Sequence, residues 1–149
     1  MSLYKTNKNE KIRKYNYKDE DKVVKLWEDC NLTRSWNNPH LDIIRKIKVD
    51  HHLFLVVQKN NDIIATIMGG YDGHRGVINY LAVHPQFRRK GLARKLISVI
   101  EGKLIKLGCP KINLLVRSTN IKVVNFYKKL DYQKQNDVVI MGKRLIPDN

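Results

Sequence analysis

The run that most restricts the fold lies between residues 77 and 116. Residues 77–83, V-I-N-Y-L-A-V, make a short apolar strand, and Pro85 marks a turn after it. A basic segment, Arg88-Arg89-Lys90-Gly91-Leu92-Ala93, opens an amphipathic helix over 91–107. Leu92, Leu96, Val99 or Ile100, Lys103 or Leu104, and Leu107 form its apolar stripe, spaced for one helix face. Gly108 suits the helix end, Pro110 bars continuation, and residues 111–116, K-I-N-L-L-V, resume as strand. Two strands separated by a whole helix run parallel through a right-handed crossover. The basic turn between the first strand and the helix is itself informative. A helix start leaves backbone N–H groups without partners at the positive end of its dipole, so anions bind there. Gly91 permits close approach, Ala93 keeps the next position small, and Arg88, Arg89, Lys90 and Arg94 add positive charge.

The flanking chain supplies the other layers. Residues 1–11 read as a loose, solvated tail and 12–17 as a first strand. Asp19 is positioned to cap a helix over 20–30 whose Val23, Val24, Trp27 and Cys30 share one face. Residues 31–38, N-L-T-R-S-W-N-N, break the pattern. Asn38 and Pro39 then suit the cap and first residue of a second helix, carrying Leu41, Ile44 and Ile47 or Lys48 to about Val49. Residues 53–58 and 63–68 form a hairpin around Lys59-Asn60-Asn61-Asp62, and the glycine-dense stretch 69–76 turns at Asp72-Gly73. Ser118 or Thr119 caps a fourth helix to about Leu130. A final hairpin, 132–135 with 138–145, turns at Asn136-Asp137. The element order β-α-α-β-β-β-α-β-α-β-β, without repeat or linker, describes an α/β (α+β) single domain over 1–149, with a mixed sheet of about seven strands flanked by four helices.

Bulk properties exclude some classes. No apolar run is long enough for a membrane span, and the polar Lys-rich start lacks the centre of a secretory signal. Cys30 and Cys109 form neither a metal-type spacing nor a disulfide framework, so no metal and a cytoplasmic setting are expected. The net charge of +15 invites a nucleic-acid reading. The basic residues are dispersed, however, and no aromatics interleave with a basic stripe, which disfavours that reading while still favouring a polyanionic ligand.

A second motif joins the first. Residues 116–132 read V-R-S-T-N-I-K-V-V-N-F-Y-K-K-L-D-Y. With the Arg-x-x-Gly-x-Ala loop about thirty residues earlier, this resembles the GNAT N-acetyltransferases, which write V-x-x-x-N-x-x-A-x-x-F-Y-x-K-L-G-F here. Val116, Asn120, Phe126, Tyr127, Lys129, Leu130 and Tyr132 match in register. Val123 stands for the family's Ala, and Asp131 for its Gly, a position that often needs φ > 0. The stretches L-T-R-S-W-N-N-P, G-G-Y-D-G-H-R-G and G-C-P-K-I also resemble the bacterial branch of that family typified by YpeA.

The resemblance implies the GNAT acyl-CoA N-acyltransferase fold and acetyl transfer from acetyl-CoA to an amine. It implies that the backbone of Leu81, Ala82 and Val83 orients the acetyl group. Arg88, Arg89, Lys90, Gly91, Ala93 and Arg94 hold the pyrophosphate, and Asn120 touches the cofactor near its pantetheine arm. Tyr127 becomes the general acid for the departing thiolate, since a phenol is protonated at neutral pH. Acceptor recognition falls to Arg34, which could pair with a carboxylate, to Trp36 as an apolar wall, and to Asn37, with Tyr71 in the glycine-dense loop. Asn79 or Tyr80 could hold a relay water, while Asp72, His74 and His84 leave the general base open. Two alternatives stand beside this reading: a CoA-binding regulatory module without efficient catalysis, and a basic nucleic-acid-binding protein. The expected partners are acetyl-CoA and an amine acceptor, without a membrane; homodimers are common in the family.

Overall fold

A computed structural model describes residues 9–149. Five strands form one sheet in sequential order, β1 (Glu10–Lys14), β2 (Phe54–Lys59), β3 (Asp62–Tyr71), β4 (Gly76–Val83) and β5 (Ile112–Asn113). The first four are antiparallel neighbours, and β5 joins β4 in parallel after the crossover helix. Four helices flank it: α1 (Glu20–Asp29), α2 (Pro39–Lys46), α3 (Leu92–Lys106) and α4 (Ile121–Lys129).

Both sheet faces are covered, which explains the unbroken apolar reading of β2. Leu55, Val57, Ile64 and Ile67 pack with Leu92, Leu96, Ile97, Ile100 and Leu104 of α3. Phe54, Val56, Ile63 and Met68 face the other way, onto Val23, Val24, Leu26 and Trp27 of α1 and Ile43 of α2. Alternate residues of one strand therefore feed two cores.

Several local expectations shift. Glu10 and Lys11 belong to β1, so the loose tail does not extend to residue 11; residues 1–8 lie outside the described part. Asp19 stands at the start of α1 but makes no capping bond there; its carboxylate instead takes Arg13 Nη1 and Nη2 at 2.7 and 2.8 Å and the Asn16 N–H at 2.8 Å. Asn38 caps α2 as its position before Pro39 predicts, accepting from the N–H groups of His40 and Leu41. The buried side of α2 is centred on Ile43, which alone from this helix enters the α1-side core, while Ile44 and Ile47 are exposed. Asn120, not Ser118 or Thr119, caps α4. Asp131 does adopt a left-handed φ of 69° where the family motif carries glycine.

The largest departure is at the C-terminus. The turn at Asn136-Asp137 forms, but the segments beside it do not pair, so the described residues contain five strands rather than about seven. Val138, Val139, Ile140 and Met141 are four consecutive apolar residues without alternation, so no single face exists to set a register. All four are exposed. The segment is tied to other parts of the fold instead: Lys111 Nζ donates to Gln135 at 3.0 Å, and Arg45 pairs with Asp148 beside a backbone Asn38 N–H to Asp148 O bond of 2.8 Å.

Candidate active site

β4 and β5 pair only at Gly76–Ile112 and Val77–Asn113. Beyond that point they part, and a cleft of about 990 Å³ opens between Ile78–Leu81 on one side and Leu115–Arg117 on the other. The edge of β4 is thus stripped of a neighbour strand where backbone groups can serve a ligand. Tyr127 and Asn120 close the cleft from α4, and Arg34, Asp42, Arg45 and Lys46 line it from the α1–α2 side.

A bulge shapes the β4 wall. Thr66 pairs with Ala82 and Met68 with Asn79, so two β4 residues, Tyr80 and Leu81, oppose Ile67 alone. Tyr80 takes a φ of 49°, an uncommon state for a bulky residue that persists only where surroundings enforce it. The enforcement is visible. Fully buried Thr66 donates its hydroxyl to Tyr80 O at 2.9 Å and accepts from Trp27 Nε1 at 2.9 Å. The Trp27 indole stacks on the Tyr80 ring with centroids 3.8 Å apart. At the far end, Tyr80 Oη donates to Asp42 Oδ2 at 2.6 Å, and Asn37 Nδ2 donates to the same oxygen at 2.7 Å. Burial first, then the bond to Asp42, push the Tyr80 phenol well above its ordinary pKa.

Tyr127 is buried, and burial raises its pKa to about 12. Its ring meets those of Phe126 and Tyr132 edge-on, at 5.2 and 5.3 Å. Its hydroxyl has no hydrogen-bond partner among the described residues, so it is free to donate into the cleft that it lines. Asn120 spends its Oδ1 on the Val123 N–H at 3.4 Å.

The basic loop lies past the end of β4 and outside the cleft lining. Arg88 Nε donates to Val83 O at 2.9 Å, Arg89 has φ 63° and Gly91 φ 81°. No side chain caps α3, so its first N–H groups await a partner. Lys90 Nζ sits 5.4 Å from the Phe87 ring centroid, leaving its charge near the loop. Ala93 and Arg94 fall in the first turn of α3.

Of the residues expected at a site from sequence, Arg34, Asn79, Tyr80, Leu81, Asn120 and Tyr127 share the cleft. Ala82 is buried in the α1-side core, and Val83 spends its carbonyl on Arg88 and Cys30. Asn37 reaches the cleft's edge through Asp42 and Tyr80. Trp36 is half-exposed, and neither it nor Tyr71 is part of the lining; Tyr71 hydrogen-bonds the carbonyls of Gly73 and Gly108. Asp72 is consumed by the N–H groups of His74 and Arg75, and His84 by that of Gln86. Sequence reading missed Asp42, Arg45 and Lys46. Their i, i+3, i+4 spacing on a helix that Asn38-Pro39 announces puts them on one face, which was the available signal.

Comparison with known proteins gives this geometry a class. The model of the GNAT acetyltransferase family matches residues 16–132. A Sodalis glossinidius acetyltransferase is 51% identical over 137 residues, 92% of this chain and 96% of that protein. A Pectobacterium atrosepticum acetyltransferase shows the same identity and coverage. Among solved structures, a Pyrococcus horikoshii protein superposes with a TM-score of 0.74 at 22% identity, over 88% of this chain and 93% of that one. An aminoglycoside N-acetyltransferase bound to a CoA bisubstrate analogue follows at 0.73 and 17%, covering 92% and 99%. These structural likenesses show a shared acyltransferase fold. The chain belongs to the GNAT acetyltransferase family. It is an N-acetyltransferase by class.

Proposed function

We propose that the chain transfers the acetyl group of acetyl-CoA to a primary amine by direct attack, within the cleft between β4 and β5. The observation that carries this is the parting of the two strands after Val77 and Asn113, with an uncapped helix start at one end and a free buried phenol inside. The Arg88–Arg94 loop and α3 start hold the pyrophosphate by backbone N–H groups and positive charge. The thioester arm runs along the open edge of β4, where N–H groups near Leu81 polarise the acetyl carbonyl. Asn120 flanks the arm.

The acceptor nitrogen forms its bond to the carbonyl carbon, the carbonyl electrons move to oxygen, and the tetrahedral intermediate expels the thiolate as the C–S bond breaks. The Tyr127 hydroxyl donates to the leaving sulfur; a pKa of about 12 keeps it protonated until that moment. The amine's proton leaves toward Tyr80 and Asp42, the acid–base pair that lines the acceptor side. Asp72 and His84, already engaged in turns, are set aside for this role.

The test is continuous detection of free CoA thiol as the full chain is supplied with acetyl-CoA and a panel of amines. Amine-dependent thiol release supports the proposal. Tight acetyl-CoA binding without release over the panel would favour a regulatory CoA-binding module instead.

A further inference from the structure

The charges that line the cleft are unevenly matched. Arg34, Arg45, Lys46 and Arg117 face one carboxylate, Asp42. Asp42 is engaged by Tyr80 and Asn37, and Arg45 is engaged by Asp148. Lys46 donates to Gly69 O, and burial lowers its pKa, partly offset by Asp50. Arg34 differs. Its Nη1 donates to the carbonyl oxygens of Asn31 and Thr33 at 2.6 and 2.8 Å, both neutral. The guanidinium is therefore anchored at the cleft wall, while no carboxylate among the described residues compensates it.

The loop that carries it is built. Arg34 and Asn37 form a β-bridge, with the Asn37 N–H donating to Arg34 O at 3.1 Å. The Asn37 amide then holds both Asp42 Oδ2 and Tyr80 Oη, at 2.7 and 3.0 Å. One connected unit thus joins a fixed guanidinium to a carboxylate–phenol pair. The CoA phosphates, on the reading above, occupy the α3 start outside this lining. That leaves Arg34 for the acceptor.

We infer that the acceptor is a small amine bearing its own carboxylate, an amino-acid-like zwitterion. Arg34 holds the carboxylate, and the amino group faces Asp42 and Tyr80. Polyamines and aminoglycosides, which bring several positive charges, are opposed by the same lining. This rests on the acetyl-transfer reading of the cleft.

The experiment measures kcat/KM for amino acids against their own carboxamides and against spermidine, with acetyl-CoA affinity measured alongside by calorimetry. A guanidinium–carboxylate contact should favour the acid over the amide by roughly 10- to 100-fold, although the amide's amine is the less basic and more readily deprotonated. Arg34→Gln should pull that ratio toward one, chiefly by raising KM for the acid, with acetyl-CoA affinity unmoved. Arg34→Lys should restore part of the ratio, since it returns the charge without the fork. Equal use of acid and amide, a preference for spermidine, or a ratio insensitive to Arg34→Gln would overturn the inference while leaving acetyl transfer standing. If acetyl-CoA binds but no panel amine turns over, the same pairs are titrated against the CoA complex, and equal affinities overturn it. Absence of both acetyl-CoA binding and thiol release would remove the acetyl-transfer reading and this one together.

Discussion

Thr66→Val isolates the clamp that holds the β4 bulge. The two side chains have the same shape, so the fully buried site gains no cavity; it loses one hydroxyl with two bonds. The Trp27 N–H, on a residue with 0% exposure, is left without its partner. An orphaned buried donor costs about 1–3 kcal/mol, and losing the bond to Tyr80 O about 1 kcal/mol more. The expected loss is about 2–4 kcal/mol, a large part of a typical domain's 5–15 kcal/mol. Urea unfolding followed by tryptophan fluorescence should show a lower midpoint at unchanged m-value. Thr66→Ser keeps the hydroxyl and deletes a methyl, so it should cost about 1 kcal/mol. Because the Thr66 hydroxyl helps hold Tyr80 at φ 49°, Thr66→Val should also lower turnover more than Thr66→Ser does. A loss below about 1 kcal/mol for the valine variant, or equal losses for the two variants, would refute the clamp as drawn here.

Two further outcomes follow from single groups. Burial alone would raise the Asp19 pKa, but the bonds from Arg13 and the Asn16 N–H outweigh it and hold the carboxylate below its ordinary value. A depressed folded pKa stabilises above the unfolded value of about 3.9, and that stability is lost as pH falls through the folded value. Asp19→Asn should therefore cost about 1–3 kcal/mol at pH 7, and the gap from the parent should narrow below about pH 4 in pH-dependent urea melts. Tyr127→Phe should cut turnover by roughly 100-fold or more with acetyl-CoA affinity retained, and unchanged turnover would remove Tyr127 from the reaction.

The parts of this molecule that sequence made readable are those whose signal is local. The α3 stripe with its Gly108 and Pro110 stop, the Asn38-Pro39 entry to α2 and the hairpin at Asn60-Asn61 depend on neighbours within a turn or two. The acceptor side was less readable because it is made of distant pairs. Tyr80 meets Asp42 across 38 residues, and Trp27 meets Thr66 across 39. V-I-N-Y-L-A-V carries no mark of a bulge; only the register against β3 reveals that Tyr80 and Leu81 share one opposing residue. The C-terminal hairpin was over-read for the reverse reason. Val138–Met141 has strong strand propensity, yet propensity without a face to bury does not make a sheet.

The most direct measurement is residue-resolved amide hydrogen exchange of the full chain with and without acetyl-CoA. Binding in the parted strands should slow exchange at Tyr80 and Leu81, at Gly91 to Arg94 where α3 starts uncapped, and around Asn120, and leave the Asp72-Gly73 turn unaffected. Protection confined to other surfaces, or none at saturating acetyl-CoA, would contradict the placement of the reaction between β4 and β5.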